Sequence, residues 1–377
     1  MRYLEQERTA VHKLLPGLDE ALEAEPLSRL ERPGNPGIAA FREFRGPGLL
    51  IPTAHGGAGA TALEAVRVQR ALGARSPSLA VATTMHHFSV ASLVALSEVS
   101  NGFEWMLMEA VATDRRLLAS GFAEGRPDAN ILAPTMTAEV TPDGLLISGA
   151  KRPCSLARSM DLLTASVMVP RLDGPGQQLA VVMIPADTPG ISVSPFWGSF
   201  ALAGAESDQV TLTDVPVPEE LVVRTAGTPA QALDEIQVAG FLWFELLITA
   251  SYLGVASALV ERVVHTERVP DADRTRLVVE TETAMAALEN VARQVPEAAR
   301  GQRALADALF VRYGVQDAIA RVVPRAVELL GGMSFMSADD VGYLAACTNG
   351  LGFHPPSRGR MAGPLARYLA GEALAVA

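Results

Sequence analysis

The stretch Gly149–Asp161, GAKRPCSLARSMD, decides how the chain is read. It follows the strand-like run Leu145–Ser148 and precedes the apolar run Leu162–Val169. Around it Thr, Val and Ile alternate with polar residues, the period-two signature of strands. Thr135–Val140, Leu179–Ile184 and Gln209–Thr213 share this texture. Gly, Pro and Asp clusters at Pro142–Gly144, Asp173–Gly176 and Thr188–Gly190 separate the runs as turns. An antiparallel β barrel or sandwich is therefore expected from about Leu117 to Val223.

On either side the pattern is helical. Thr9–Ala24, Ala62–Leu72, Leu79–Ser97 and Phe103–Asp114 are predicted helices, and Thr61 with Glu64 forms a capping-box pattern. After Gly227 the chain turns helical again, with breaks expected near Pro270, Pro296 and Gly331-Gly332. The order helical, β, helical does not alternate as βαβ units do, so a doubly wound nucleotide-binding fold is disfavoured. The expected division is 1–116, a helical domain; 117–225, a β-domain; and 226–377, a second helical domain.

The chain has 377 residues, of which 49% are hydrophobic and 19% charged, which supports a large core rather than disorder. A formal net charge of −11, with no basic stripe, argues against nucleic-acid binding. Two cysteines, Cys154 and Cys347, and no Cys/His cluster argue against a structural metal or a disulfide scaffold. No metal site is expected. The N-terminus lacks an apolar signal core. Val238–Val260 is long enough to span a bilayer and is broken only by Glu245. No second such segment is read, and the small residues Ala250, Ser251, Gly254 and Ala258 suit a helix buried among other helices. A cytosolic protein, away from membranes, is expected.

Short motifs recur in a telling order. Gly48–Pro52 precedes His55-Gly56-Gly57, and Gly121-Phe122-Ala123-Glu124 follows. Gly149-Ala150-Lys151 opens the central stretch, Asp214–Pro218 reads DVPVP, and Leu329–Gly332 reads LLGG. In this order and spacing the chain resembles the acyl-CoA dehydrogenase superfamily along essentially its whole length. The resemblance implies an α+β multidomain fold: an N-terminal helical domain, a central antiparallel β-barrel and a C-terminal four-helix bundle. It implies FAD as cofactor, a homo-oligomer (dimer or tetramer) and an acyl thioester partner, carried by CoA or by an acyl carrier protein.

The resemblance also assigns residues. Ser155 falls at the hydroxyl facing the flavin N5, and Pro153 at the aromatic ring covering the flavin face. Phe122 and Ala123 fall at the turn whose backbone reads the flavin pyrimidine. Arg126 or Asn130 would replace the serine that binds the CoA arm, and Arg268, Gly331 and Gly332 fall at the grip on FAD that the family supplies from a second subunit. Glu328 falls where the family places an amide near the diphosphate. His354 occupies the position of a C-terminal catalytic Glu; Phe244 occupies an alternative base position; and Glu245 occupies that of a nearby Arg. Phe241 and Phe244 are expected at the substrate. A Glu in so apolar a helix needs a partner, and a facing Glu245–His354 dyad is the expected proton-transfer pair. Cys154 reads as a small buried packing residue, and His86 and His87 as packing or subunit-contact residues.

Three functions follow from the resemblance. The first is α,β-desaturation of an acyl thioester, with α-proton abstraction and hydride transfer to FAD. The second is a flavin-dependent monooxygenase or oxidase, which the loss of ring cover at Pro153 and the altered base also suit. The third is a flavin-free homologue with a binding, assembly or acid–base role.

Overall fold

Gly73 and Gly254 explain how the helical core closes. In the computed structural model a Cβ on Gly73 would lie 2.1 Å from the Ser251 carbonyl oxygen, and one on Gly254 would lie 2.2 Å from that of Arg70. The two backbones therefore meet directly, as the small residues around Gly254 predict. The structure describes residues 2–99, 102, 104–125, 134–171, 174–224, 235–298 and 301–376.

The N-terminal region contains α1 (Glu5–Leu14), α2 (Leu18–Glu23), α3 (Leu27–Leu30), α4 (Pro36–Glu43), α5 (Ala62–Arg75), α6 (Pro77–Val99) and α7 (Glu104–Thr113). The single helix expected over Thr9–Ala24 is two, because Gly17 adopts φ +94° and redirects the chain. The Thr61/Glu64 capping box is present, with both reciprocal hydrogen bonds made.

The strands follow: β1 (Leu118–Gly121), β2 (Thr137–Thr141), β3 (Gly144–Cys154), β4 (Leu162–Pro170), β5 (Gln177–Pro185), β6 (Ile191–Ser194), β7 (Asp208–Pro218) and β8 (Val222–Arg224). They form one sheet in the order β6-β7-β3-β2-β4-β5-β8, with β1 beside β4. Most neighbours are antiparallel as expected, but β1 and β2 both pair parallel to β4, so the sheet is mixed.

The C-terminal region holds α8 (Glu235–Val264), α9 (Asp271–Ala298), α10 (Gln302–Ser337), α11 (Asp339–Cys347) and α12 (Arg358–Leu369). The break near Pro270 is present. The one near Pro296 is present too, two residues on: α9 ends at Ala298 and α10 begins at Gln302, after an extended Gly301. Gly331, at φ +82° and ψ 163°, kinks α10 where the glycine pair stands. Helix α8 packs against α5, α6, α9 and α10. Of its most apolar window, 89% is buried, which accounts for its membrane-like composition. Helix α6 is a second helix apolar enough to cross a membrane, which corrects the reading of a single such segment; 67% of its window is buried in the same core.

Candidate active site

Three structures converge on one cavity: the outer end of β1 with its following turn, the end of β3, and the facing surfaces of α6 and α8. The cavity encloses about 240 Å³. Its walls are largely apolar, with Met85 and Phe88 from α6, Phe241 and Phe244 from α8, and Val181 and Met183 from β5. Phe88 sits edge-on to both Phe122 (5.4 Å between centroids) and Phe244 (5.8 Å), which joins the β side to the helical side.

The turn after β1 is held from behind. Lys151 is fully buried and its Nζ donates to Glu124 Oε1 (2.9 Å) and Ser166 Oγ (3.2 Å). Glu124 also accepts from the Thr135 N–H and hydroxyl. Burial raises the Glu124 pKa, but these donors outweigh it and hold the carboxyl at about 2. Burial lowers the pKa of Lys151 against the pull of Glu124. The Arg152 N–H donates to the Ala123 carbonyl (2.8 Å), which stitches this turn to β3. Phe122, Ala123, Pro153 and Ser155 are thereby aligned along one wall. Ser155 Oγ lies 3.0 Å from Ser207 Oγ, a hydroxyl pair that opens onto the cavity. A second hydroxyl pair, Ser89 and Thr164, is also 3.0 Å apart, and Thr164 donates to the Ala119 carbonyl.

This wall fits a flavin. A planar, largely apolar heterocycle needs a slot with flat sides and a few hydroxyl or backbone donors at its polar edge. Pro153, Phe122 and Ala123 supply the first, and the Ser155–Ser207 and Ser89–Thr164 pairs with Ser120 supply the second.

The expected Glu245–His354 dyad is not formed. Glu245 is fully buried and accepts two hydrogen bonds from Arg312 Nη1, at 3.0 and 2.8 Å. It is not among the described residues that line the cavity. Burial raises its pKa and Arg312 lowers it. A buried carboxylate takes the strongest cation within reach, and on α10 that cation is Arg312. Arg312 Nη2 in turn donates to the carbonyls of Leu351 (3.0 Å) and His354 (2.5 Å). The carboxylate thus anchors the loop that carries His354 without touching the imidazole.

His354 does line the cavity. Its Nε2 lies 2.9 Å from the Tyr252 hydroxyl. Burial, aided by the Arg312 charge, pushes its pKa down to about 3, so the ring is neutral at pH 7. Phe241 and Phe244 line the cavity as expected. Arg126 and Asn130 lie outside the described residues.

Arg268, Gly331 and Gly332 come together elsewhere. Arg268 donates to the Leu330 carbonyl and its guanidinium would meet a Cβ on Gly331 at 3.3 Å. None of the three is among the described cavity-lining residues, so the structure does not bring this grip to Ser155 within the chain. Glu328 pairs with Arg325 (2.8 Å). His86 and His87 are fully buried packing residues, as read from their adjacency. His86 accepts the Leu118 N–H at Nδ1 (3.0 Å), so its Nε2–H faces the Pro47 carbonyl. Cys154 is buried, which pushes its thiol up to about 12.

Sequence reasoning missed Ser207, the Ser89–Thr164 pair, Tyr252, Arg224 and Arg312. Only Arg312 carried a signal, as a cation inside the apolar run Ala304–Val315 that had to answer Glu245.

The chain is 47% identical over 380 residues to isobutylamine N-hydroxylase of Streptomyces viridifaciens, covering 100% of both. No protein-family model matches the chain. The fold is similar to that of a nitrososynthase from Micromonospora carbonacea var. africana, with a TM-score of 0.82, 19% identity and 100% of both chains covered. It is also similar to TdsC from Paenibacillus sp. A11-2 in complex with FMN and indole, with a TM-score of 0.78, 18% identity and coverage of 100% and 99%. The expected acyl thioester partner is overturned by these findings. The full-length relative is named for a free amine and TdsC holds indole; neither is a CoA or carrier-protein ester.

Proposed function

Because this chain belongs to the acyl-CoA dehydrogenase-like flavoenzyme superfamily, we propose that it is a flavin-dependent monooxygenase that N-hydroxylates a small apolar primary amine. The observation that carries this reading is the 47% identity, end to end, with an enzyme named for that reaction. The cavity supports it. Desaturation of an acyl chain requires a base at the α-carbon. Among the described lining residues there is no carboxylate, and His354, with a pKa near 3, is a poor base. Oxygen insertion at nitrogen has no such requirement, because the amine lone pair is itself the nucleophile.

When bound in reduced form, a flavin would supply the two electrons with which O2 gives one oxygen atom to the amine, making a hydroxylamine, and the other to water. In this proposal Ser155, Ser207 and the Phe122–Ala123 backbone would hold the flavin, with Pro153 beside them. Phe88, Phe241 and Phe244 exclude water and pack on the alkyl group, while His354 presents a neutral polar atom beside them. Glu245 is a positioning residue that acts through Arg312 on the His354 loop. The expected FAD stands beside the FMN held by TdsC; parallel titrations of the purified protein with FAD and FMN decide which it takes.

The test is to supply isobutylamine, flavin, a flavin reductant and isotopically labelled O2. N-isobutylhydroxylamine carrying one labelled oxygen is expected. Complete consumption of reduced flavin with no oxygenated amine would overturn the proposal.

A further inference from the structure

The charge balance of the cavity bears on which form of an amine can enter it. Among the described residues that line it, two are titratable, Arg224 and His354. Arg224 is ion-paired with Glu219, which is not among the described lining residues. His354 is neutral at pH 7, held by Tyr252 and by the Arg312 bond to its carbonyl. The ionised groups behind the walls are already committed. Glu245 is paired with Arg312, and Glu124 with Lys151. The remaining polar atoms on the walls are mostly serine and threonine hydroxyls.

An ammonium ion entering such a cavity loses its water shell and meets no described carboxylate in return. Desolvation of this kind penalises the charged form. The neutral amine loses far less, since its alkyl group gains apolar contact and its N–H and lone pair find hydroxyl partners. Nitrogen oxygenation also needs a free lone pair, which an ammonium lacks.

We propose that the cavity selects the neutral free base of its amine and excludes the ammonium form, so that deprotonation precedes binding and is no task of a catalytic side chain. The inference rests on the amine N-hydroxylase reading. It makes the apolar wall a device for activating the substrate nitrogen as well as for fitting its carbon chain.

Two consequences distinguish this from capture of the cation. A primary amine of ordinary basicity, with a pKa of about 10.4, is almost entirely protonated at pH 7. Binding as the free base therefore releases about one proton per amine, and the apparent affinity for total amine rises about tenfold per pH unit below the amine pKa.

The experiment is titration calorimetry of the flavin-loaded protein with isobutylamine in buffers of differing ionisation enthalpy, between pH 6.5 and 8.5. Release of about one proton per amine and a tenfold gain in affinity per unit are expected. A β-fluorinated amine of the same shape, whose ammonium is more acidic, should bind more tightly at pH 7. Binding without proton release would overturn the inference. Placing a carboxylate on the wall, Ser92→Asp, should flatten the pH dependence; an undiminished slope would count against the inference. Proton-releasing binding without hydroxylamine formation would instead sink the proposed reaction and leave this inference standing. No binding of either amine at any pH would sink both.

Discussion

Arg312 shows how much can hang on one residue. Its guanidinium is fully buried, neutralises Glu245 on α8 and holds the carbonyls of Leu351 and His354. Removing one member of a buried ion pair leaves the other charged and unpaired, which costs more than the pair contributes. Arg312→Met is expected to reduce unfolding stability by about 3–5 kcal/mol in urea titrations. The double change Arg312→Met with Glu245→Leu should recover most of that loss, because no charge is then stranded. A single-variant loss below about 1 kcal/mol would mean that water reaches Glu245. The same geometry explains why the carboxylate does not face His354 as the sequence led one to expect. Both its oxygens accept from Arg312 Nη1, and it is not among the described residues that line the cavity.

At the scale of elements, the contact between α5 and α8 sets the position of the cavity wall. Gly73 and Gly254 let the two backbones touch, and the polar bond from Gln69 Nε2 to Thr84 (2.7 Å) ties α5 to α6. Phe241 and Phe244 lie on the same helix, toward its N-terminus. Gly254→Ala would press a methyl group against the Arg70 carbonyl and force the helices apart. A stability loss of about 1–3 kcal/mol is expected from thermal or denaturant unfolding. A loss near zero would show that α8 can shift without resistance. The helices and strands themselves were legible because period and punctuation are local: the capping box, the β texture and the kink at the glycine pair all stand where the residues imply. The parallel pairing of β1 and β2 with β4 was not legible, since strand direction depends on how connections cross the sheet.

Among the described residues His86 and His87 are buried and neutral in the interior, and a third neutral histidine, His354, lies half-buried at the cavity. Burial lowers the pKa of His86 to about 4 and, with Arg312, that of His354 to about 3; burial and His86 hold His87 well below its ordinary value of 6.5. Each binds a proton only after unfolding once the pH drops below that ordinary value. Stability carried by these rings is present above pH 6.5 and is lost as the pH falls toward the folded-state values. A single such histidine steepens the loss by at most about 1.4 kcal/mol per pH unit. Neither ring nitrogen of His87 has a hydrogen-bond partner among the described residues, so His87→Leu removes a proton site at little cost in bonding. Urea unfolding at pH 7.5 and 5.5 should show a shallower pH dependence for this variant than for the parent. An identical slope would mean that His87 is protonated in the fold.

What the sequence by itself determined was the run of elements, the membership in an oxidising flavoenzyme fold and the wall formed by Phe122, Ala123, Pro153 and Ser155. These follow from local periodicity and from motifs in a fixed order. Only the tertiary structure decided which charges pair. Glu245 and Arg312 stand 67 residues apart, and Ser155 and Ser207 stand 52 apart. The partner of a buried polar group is whichever group the packing brings within about 3 Å. Periodicity says which face of a helix is buried, but not what it is buried against. That distance turned an expected Glu–His dyad into an anchored loop beside a cavity with no described carboxylate.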